Sequence, residues 1–236
     1  GRASSHGAAL GEEEVALVRK KLKWKYEPFK IPQEILNEWR KIGAKGILDE
    51  KKWSSIYNKK NKKIRDEITR LINNKLPEGF DDHINSLKKK VFDLKSSIAT
   101  RQSSAFVIEN ITKNLPELIG GSADLSGSNN TKTKNSIIIK PSNFSGNYIH
   151  YGVREHGMAG IMNGMALHGG IIPYGGTFLI FLDYCKPSLR LSAFMGQKVI
   201  YIFSHDSIGL GEDGPTHQPV EHLAHLRAIP NLNVFR

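Results

Sequence analysis

Cys185 is the only cysteine among 236 residues, so no disulfide framework is available. A lone thiol fits a reducing compartment, and the cytoplasm is the expected location. Cys185 sits in an apolar, helix-like run, where a buried inert thiol is the expected reading. No run of 18 apolar residues occurs, which excludes a membrane-spanning helix, and no stretch reads as a secretory signal. There is no internal repeat and no long low-complexity tract. Acidic residues are scarce: 23 Asp and Glu stand against 34 Lys and Arg, for a net charge of +11. The shortage is local. Residues 1–100 hold 23 basic and 14 acidic residues (+9), and residues 101–236 hold 11 and 9 (+2). Runs such as Asn58–Arg65 and Leu87–Lys90 could suggest a nucleic-acid partner. Their lysines alternate with apolar positions at helical spacing, which reads better as the solvated faces of helices. Neither nucleic acid nor membrane is therefore expected as a partner. Hydrophobic content of 39% and charged content of 24% are ordinary for a globular chain of one or two domains. The chain opens on Gly-Arg and closes on Asn-Val-Phe-Arg, and both ends read as cut from a longer polypeptide.

The densest chemistry lies in Ser204–Pro219, SHDSIGLGEDGPTHQP. An apolar run, Lys198–Phe203, precedes it, and a helix-like segment, Val220–Arg227, follows. Strand, loop and helix in that order place the loop at the carboxyl end of a strand, where open α/β sheets bind ligands. Gly209, Gly211 and Gly214 fit the G-x-G-x-x-G pattern of dinucleotide sites. That reading fails, because Glu212-Asp213 puts two negative charges where a pyrophosphate would lie, and no acid follows about 20 residues on. A metal site on His205, Asp213 and His217 is a second reading, although the spacing matches no metal signature. The third is a polar pocket whose histidines and aspartate contact hydroxyls and phosphate.

Upstream, His6 lies in a small-residue loop before a helix over Gly11–Leu22, acidic at its start and basic at its end. Ile31-Pro32 opens a short helix to Ile42, with Gly43 near its end. Apolar positions from Asp49 to Asn74 keep a helical period, as do Ile84, Leu87, Val91 and Leu94. Ile98–Pro116 reads as a helix with Arg101 near its start, and Glu117–Gly121 as a short strand. Gly120-Gly-Ser-Ala-Asp-Leu-Ser-Gly-Ser-Asn129 follows it, a weak signal alone because such loops are common turns. Thr131–Phe144 reads as an exposed polar loop. Tyr148–Val153 is strand-like, and Arg154-Glu155-His156 begins a helix whose apolar face is Met158, Ile161, Met162 and Met165. An acid at a helix start ordinarily just matches the dipole. Held against such a face, a carboxyl has its ionisation opposed by desolvation, a route to acid–base work. Gly170–Tyr174 reads as a strand and Thr177–Met195 as a long helix interrupted by Pro187. Phe178, Phe181 and Tyr184 recur every three residues, a spacing more often found in cores than in sites.

Three segments together carry a resemblance: SHDSIGLGEDGPTHQPVEHLAHLR, IGGSADLSGSN (Ile119–Asn129) and NYIHYGVREHGMAGIMNGMALHGG (Asn147–Gly170). In this order they resemble the pyrimidine-binding domain of the transketolase family. SHGAALGEEE (Ser5–Glu14) resembles the segment that closes the family's diphosphate-binding domain, with Ala9 where the family usually has proline. The resemblance implies an α/β fold, a parallel-sheet pyrimidine-binding domain preceded by a helical connector. It divides the chain into residues 1–23, the end of a diphosphate-binding domain, 24–96, the connector, and 97–236, the pyrimidine-binding domain without its last part.

The family's reaction moves a two-carbon ketol unit between a ketose phosphate and an aldose phosphate, with thiamine diphosphate and a divalent cation, usually Mg²⁺. Its active sites lie between the subunits of a homodimer. By this resemblance Glu155 hydrogen-bonds the aminopyrimidine of the cofactor and so promotes loss of the thiazolium proton, which creates the nucleophile. Asp124 and Leu125 line the cofactor. Phe178, Phe181 and Tyr184 surround its aminopyrimidine, Phe181 stacking on it. Arg101, Ser128 and His205 grip the substrate phosphate. Asp213 reads the hydroxyl beside the donor carbonyl, and His217 contacts the oxygens near the bond that breaks. His6 reaches the cofactor diphosphate and the substrate. Asp206 and Glu212 have no such assignment. The metal ligands are expected outside this chain, and none of its residues is assigned to the ion. Dihydroxyacetone synthase and deoxyxylulose-phosphate synthase share part of the loop and are the enzyme alternatives. A catalytically silent module of the same fold is the other.

Overall fold

The computed structural model describes residues 2–236, which form two compact units, one ending at Arg65 and one spanning Asp66–Arg236. The first unit holds α1 (Glu12–Lys21), α2 (Gln33–Asn58) and the start of α3 (Lys62–Ile72). Glu12–Glu14 and Arg19–Lys21 occupy the two ends of α1, where their charges complement the helix dipole. The short helix expected to stop at Gly43 is instead one helix of 26 residues that runs through both Gly43 and Gly46. Glycine in a helix interior costs only about 1 kcal/mol. Neither glycine adopts a positive φ here, so nothing turns the chain out of the helix. Neither α1 nor α2 has a buried residue, and Trp39, Ile47, Leu48 and Trp53 of α2 stand exposed.

The second unit contains α4 (Phe80–Leu94) and α5 (Thr100–Ile111), then a four-stranded parallel sheet with its helices. The strands are β1 (Leu118–Ser122), β2 (Tyr148–His150), β3 (Ile172–Phe178) and β4 (Ile200–Ser204), in the order β2-β1-β3-β4. α6 (Ser126–Asn129) is a single turn after β1. α7 (Glu155–His168) connects β2 to β3, α8 (Leu182–Phe194) connects β3 to β4, and α9 (His222–Arg227) follows the long loop after β4. β2 lies on one side of β1 and β3 and β4 on the other, so the strand order reverses between β1 and β3. The crevice at that reversal is where open α/β sheets bind ligands.

Two boundaries differ from expectation. The strand expected to end at Tyr174 continues to Phe178, and the helix expected from Thr177 starts at Leu182 after a 3-10 turn, Leu179–Phe181. Gly175 and Gly176 explain the extension. A Cβ on Gly175 would meet Met162 Sδ at 2.6 Å, and one on Gly176 would meet Thr131 Cγ2 at 2.4 Å. The strand is thus pressed between α7 on one side and the segment after β1 on the other. Pro187 lies inside α8 without ending it; it removes only the helical donor to the Asp183 carbonyl.

The core follows the helix periods with one correction. Met158, Ala159 and Met162 of α7 are fully buried, whereas Ile161 is 50% exposed and lies off the packed face. Leu182, Cys185 and Leu189 of α8 pack with Ala159, Leu226 and Ile229. Burial drives the Cys185 thiol up to about 12, with the Glu155 carboxylate as the next cause, so the thiol is an inert core group. Residues Thr131–Phe144 are not wholly an exposed loop. Thr131 is fully buried and Ile138 bridges Tyr148 beside β2.

One ion pair fastens helix to sheet. Arg70 Nη1 lies 2.6 Å from Glu117 Oε1, Nη2 lies 3.1 Å from Oε2, and both side chains are nearly buried. The same guanidinium donates to the Lys75 carbonyl at 2.6 Å and binds Glu67. Among the described residues no helix is long and apolar enough to cross a membrane.

Candidate active site

Every strand of the sheet delivers candidate residues at its carboxyl end. Asp124, Leu125 and Ser128 follow β1, Glu155 follows β2, Phe178 ends β3, and His205 follows β4. Parallel strands all point the same way, so four segments remote in sequence arrive at one edge.

An aromatic cluster forms the middle of this edge. The His205 ring stacks on Phe178 with centroids 3.8 Å apart, and Phe178 lies parallel to Phe181 at 5.7 Å. His217 meets both phenylalanines edge-on, at 6.1 Å and 5.4 Å, and Tyr184 lies 5.9 Å from Phe181. The period-three aromatic stripe is therefore not a helix face turned into the core. Phe178 is on a strand, Phe181 in a 3-10 turn and Tyr184 on a helix, and exposure rises along them, from 7% at Phe178 to 63% at Tyr184. Such a face, graded from core to solvent, offers a flat apolar platform.

Beside the platform stands a polar group. Arg101, second residue of α5, donates from Nη1 to the Ser128 carbonyl at 3.1 Å. Its charge, with that of His217, acts on His205, whose pKa is lowered. Burial is the main cause, then Arg101, while Asp213 and Glu212 pull the other way. The lowering favours the neutral imidazole, a form that keeps one ring nitrogen unprotonated to meet a polar ligand. The ring's other edge is held: Ser204 Oγ and His205 Nδ1 share a hydrogen bond at 3.0 Å. His205 adopts a φ of 55°. That left-handed conformation is uncommon outside glycine and turns the ring back over Phe178. Asp124 has a φ of 65° just after β1. Both positions carry backbone strain of the kind concentrated at binding sites.

Glu155 is the first residue of α7 and only 6% exposed. Its carboxylate is near enough to Cys185 to raise that thiol's pKa. Met158 and Met162 behind it are fully buried. Asp213 and Glu212 are exposed on the outer part of the loop. The loop is closed by Gln218 Nε2 donating to the Leu210 carbonyl at 3.1 Å, and Asp206 pairs with Arg236 at 2.9 Å. Gly209–Gly214 leads only into a single 3-10 turn, Pro215–His217, and the next α-helix starts at His222. His6 is exposed and belongs to the first compact unit.

Sequence reasoning missed the buried network that fixes the segment after β1. Tyr174 donates to the Thr131 carbonyl at 2.9 Å, and Tyr148 OH meets Thr131 Oγ1 at 2.9 Å and Ser126 Oγ at 2.7 Å. Ser122 Oγ accepts from the Leu125 N–H at 3.1 Å. The Asn129 amide, oriented by these neighbours, donates to Leu125 O and Thr131 Oγ1 at 2.8 Å each and accepts from Thr177 N at 3.3 Å. The sequence signal was a Ser, Asn and Thr set at 122, 129 and 131 beside tyrosines on two strands, visible only once the strands are paired.

Residues 96–236 match the family model for the transketolase pyrimidine binding domain, and residues 1–77 match the model for the transketolase thiamine diphosphate binding domain. A transketolase of Sinorhizobium medicae (strain WSM419) is 51% identical over 240 residues, covering 100% of this chain and 34% of the relative. One of Cereibacter sphaeroides is 48% identical over 232 residues, covering 98% and 35%. Among solved structures, Pichia stipitis transketolase in complex with sedoheptulose-7-phosphate aligns with a TM-score of 0.78 at 39% identity, over 89% of this chain and 32% of that one. Transketolase from Leishmania mexicana aligns with a TM-score of 0.79 at 36% identity, over 95% and 33%. The chain thus spans about a third of the length of these relatives. With this parallel sheet, this row of side chains along its carboxyl edge and a family model matched over more than half its length, the chain belongs to the transketolase family.

Proposed function

We propose that this chain forms one wall of the active site of a transketolase, which reversibly transfers a two-carbon ketol unit from a ketose phosphate to an aldose phosphate. The observation that carries the reading is the continuous surface from Phe181 through Phe178 to His205 and His217, with Arg101 beside it and Glu155 buried at the start of α7.

This surface fits the aminopyrimidine half of thiamine diphosphate. Phe181 is half-buried beside exposed Tyr184, a platform for a flat heterocycle, and a buried carboxyl, Glu155, follows β2, two strands away along the same edge. When bound, the cofactor supplies a carbon nucleophile that can hold a two-carbon unit. Phe178, Phe181 and Tyr184 would surround the ring, with Phe181 stacking on it, and Asp124 and Leu125 would line the cofactor. Glu155 shares a proton with the ring nitrogen opposite the exocyclic amine. Arg101, Ser128 and His205 hold the sugar phosphate. Asp213 accepts a hydrogen bond from the hydroxyl next to the donor carbonyl, and an analogue lacking that hydroxyl is discriminated against because the aspartate loses its partner. His217 donates to the oxygens near the bond that breaks, and His6 to the diphosphate and the substrate. Mg²⁺ accompanies the cofactor with no ligand assigned in this chain.

In this reading residues 1–23 belong to a diphosphate-binding domain, 24–96 to a connector and 97–236 to the pyrimidine-binding domain. The enzyme is a cytoplasmic homodimer of the pentose phosphate pathway, with each site between two subunits. Calorimetry of thiamine diphosphate with Mg²⁺ tests this. The chain alone is expected to bind negligibly, and the chain extended to the length of its relatives to bind tightly. Absence of binding in the extended protein would mean that the shape persists without the chemistry.

A further inference from the structure

Asp183 lies in the first turn of α8, and Glu221 and His222 lie where the loop after β4 enters α9. One ligand atom from each falls within 4.8 Å of the others. His222 is 0% exposed. Its Nε2 stands 3.2 Å from Asp183 Oδ1 and its Nδ1 3.8 Å from Glu221 Oε2. Neither ring nitrogen nevertheless makes a hydrogen bond.

The short distance and the missing bond have one geometric explanation. The Asp183 oxygen lies near Nε2 but off the line along which the nitrogen points. Two ligands of a tetrahedral ion, each about 2.0 Å from it, stand about 3.3 Å apart, with their lone pairs aimed at the ion and not at each other. An unmatched buried polar atom ordinarily costs about 1–3 kcal/mol, and here the whole imidazole is buried without a hydrogen bond. The carboxylates are different. Their side chains are 58% and 55% exposed, which leaves an entry path and room for water to complete a coordination shell. One ion takes only one of the two ring nitrogens: Nε2 with Asp183 would hold it, and Glu221, exposed and now nearest Nδ1, would reach it by rotation.

We propose that Asp183, Glu221 and His222 form a binding site for a divalent first-row transition cation, with zinc as the reference ion. One imidazole and two carboxylates suit that class better than calcium or magnesium, which take all-oxygen shells. The cation would join the start of α8, flanked by Phe181 and Tyr184, to the end of the segment that carries His205 and His217. It would thereby hold that loop against the aromatic platform. This goes beyond the thiamine-dependent reading and does not depend on it.

The test is calorimetric titration of the chelator-treated chain with Zn²⁺ alone, beside the double variant Asp183→Asn, Glu221→Gln. Both substitutions are outward-facing and leave the core intact, which an unchanged far-UV spectrum verifies. One equivalent is expected to bind, with affinity at least ten-fold weaker in the variant. Co²⁺ is expected to give the intense visible bands of a tetrahedral site in the parent only. Absence of a one-equivalent site in the parent, or equal affinity in parent and variant, overturns the proposal.

Discussion

Replacing Arg70 by alanine leaves Glu117 with a buried, unpaired carboxylate. The guanidinium supplies two contacts to that carboxylate, at 2.6 and 3.1 Å, and the Glu117 side chain is 5% exposed. Breaking one partner of a buried pair costs about 3–5 kcal/mol. A second route to the magnitude comes from proton uptake. An ordinary glutamate, with a pKa of about 4.3, escapes its charge at a cost of about 3.7 kcal/mol at pH 7 and only about 1 kcal/mol at pH 5. The expected destabilisation is therefore about 3–4 kcal/mol at pH 7, and the gap between variant and parent shrinks as pH falls. The lowered pKa of Glu67, held down by its hydrogen bond to Arg70, adds in the same direction. A depressed carboxylate stabilises above its unfolded value and loses that contribution as pH falls, so the parent gives up part of its advantage. Pairing Arg70→Met with Glu117→Leu removes both charges and is expected to recover most of the loss. The assay is urea unfolding followed by far-UV circular dichroism. Tryptophan fluorescence would mislead, because Trp24, Trp39 and Trp53 all lie in the unit that ends at Arg65, while Arg70 and Glu117 lie in the other. A change below 1 kcal/mol at pH 7, or a gap as large at pH 5 as at pH 7, refutes the reasoning.

Gly176→Ala places a methyl group 2.4 Å from Thr131 Cγ2 and 2.8 Å from the Asn129 side-chain amide; overpacking of this kind is expected to cost about 1–3 kcal/mol, read as a lowered midpoint in thermal unfolding. His205 is expected to titrate below an ordinary histidine in ring-proton NMR. Its titration should move up in Arg101→Ala and further down in Asp213→Asn, since those two charges act in opposite directions; shifts of the reverse sign would contradict the arrangement. Because this half-buried histidine has a lowered pKa, the unfolded chain binds more protons, and the His205 contribution to stability rises with pH through the region up to its ordinary value of about 6.5. Glu155→Gln, nearly isosteric, is expected to keep the fold by circular dichroism and, in the enzyme extended to its relatives' length, to abolish exchange of the thiazolium proton. Normal exchange in that variant would take the role from Glu155.

The sheet was legible because three of its four strands announce themselves as a short apolar run that ends in Ser or His, whereas β3 runs on to Phe178. Glu155 falls at the first residue of α7 as expected, and the loop from Ser204 follows β4. Misreadings came from residues whose local preference is overridden by packing. Gly43 looks like a helix end, yet the helix runs through it and through Gly46 because nothing there demands a positive φ. Gly175 and Gly176 look like a turn, yet they let Met162 and Thr131 approach a strand closely. Phe178, Phe181 and Tyr184 have helical spacing but belong to three kinds of local structure. The Arg70–Glu117 pair and the hydroxyl network around Thr131 were not legible at all, because each joins residues far apart in sequence and no local pattern marks them.

The distribution of site residues over four strand ends bears on how the molecule comes into being. Glu155, Phe178 and His205 are each separated by a helix, and only the fully paired sheet brings all four strand ends to one edge. Parallel pairing is non-local and is completed late, because loop closure must precede the contacts that reward it. The stacking of His205 on Phe178 requires β3 and β4 to be paired, so it marks an arrested chain from a finished one. A folding intermediate with all its helices but with β3 and β4 unpaired would look native by helix content and lack the His205–Phe178 stack. The ring contact thus reports one long-range pairing that helix content does not.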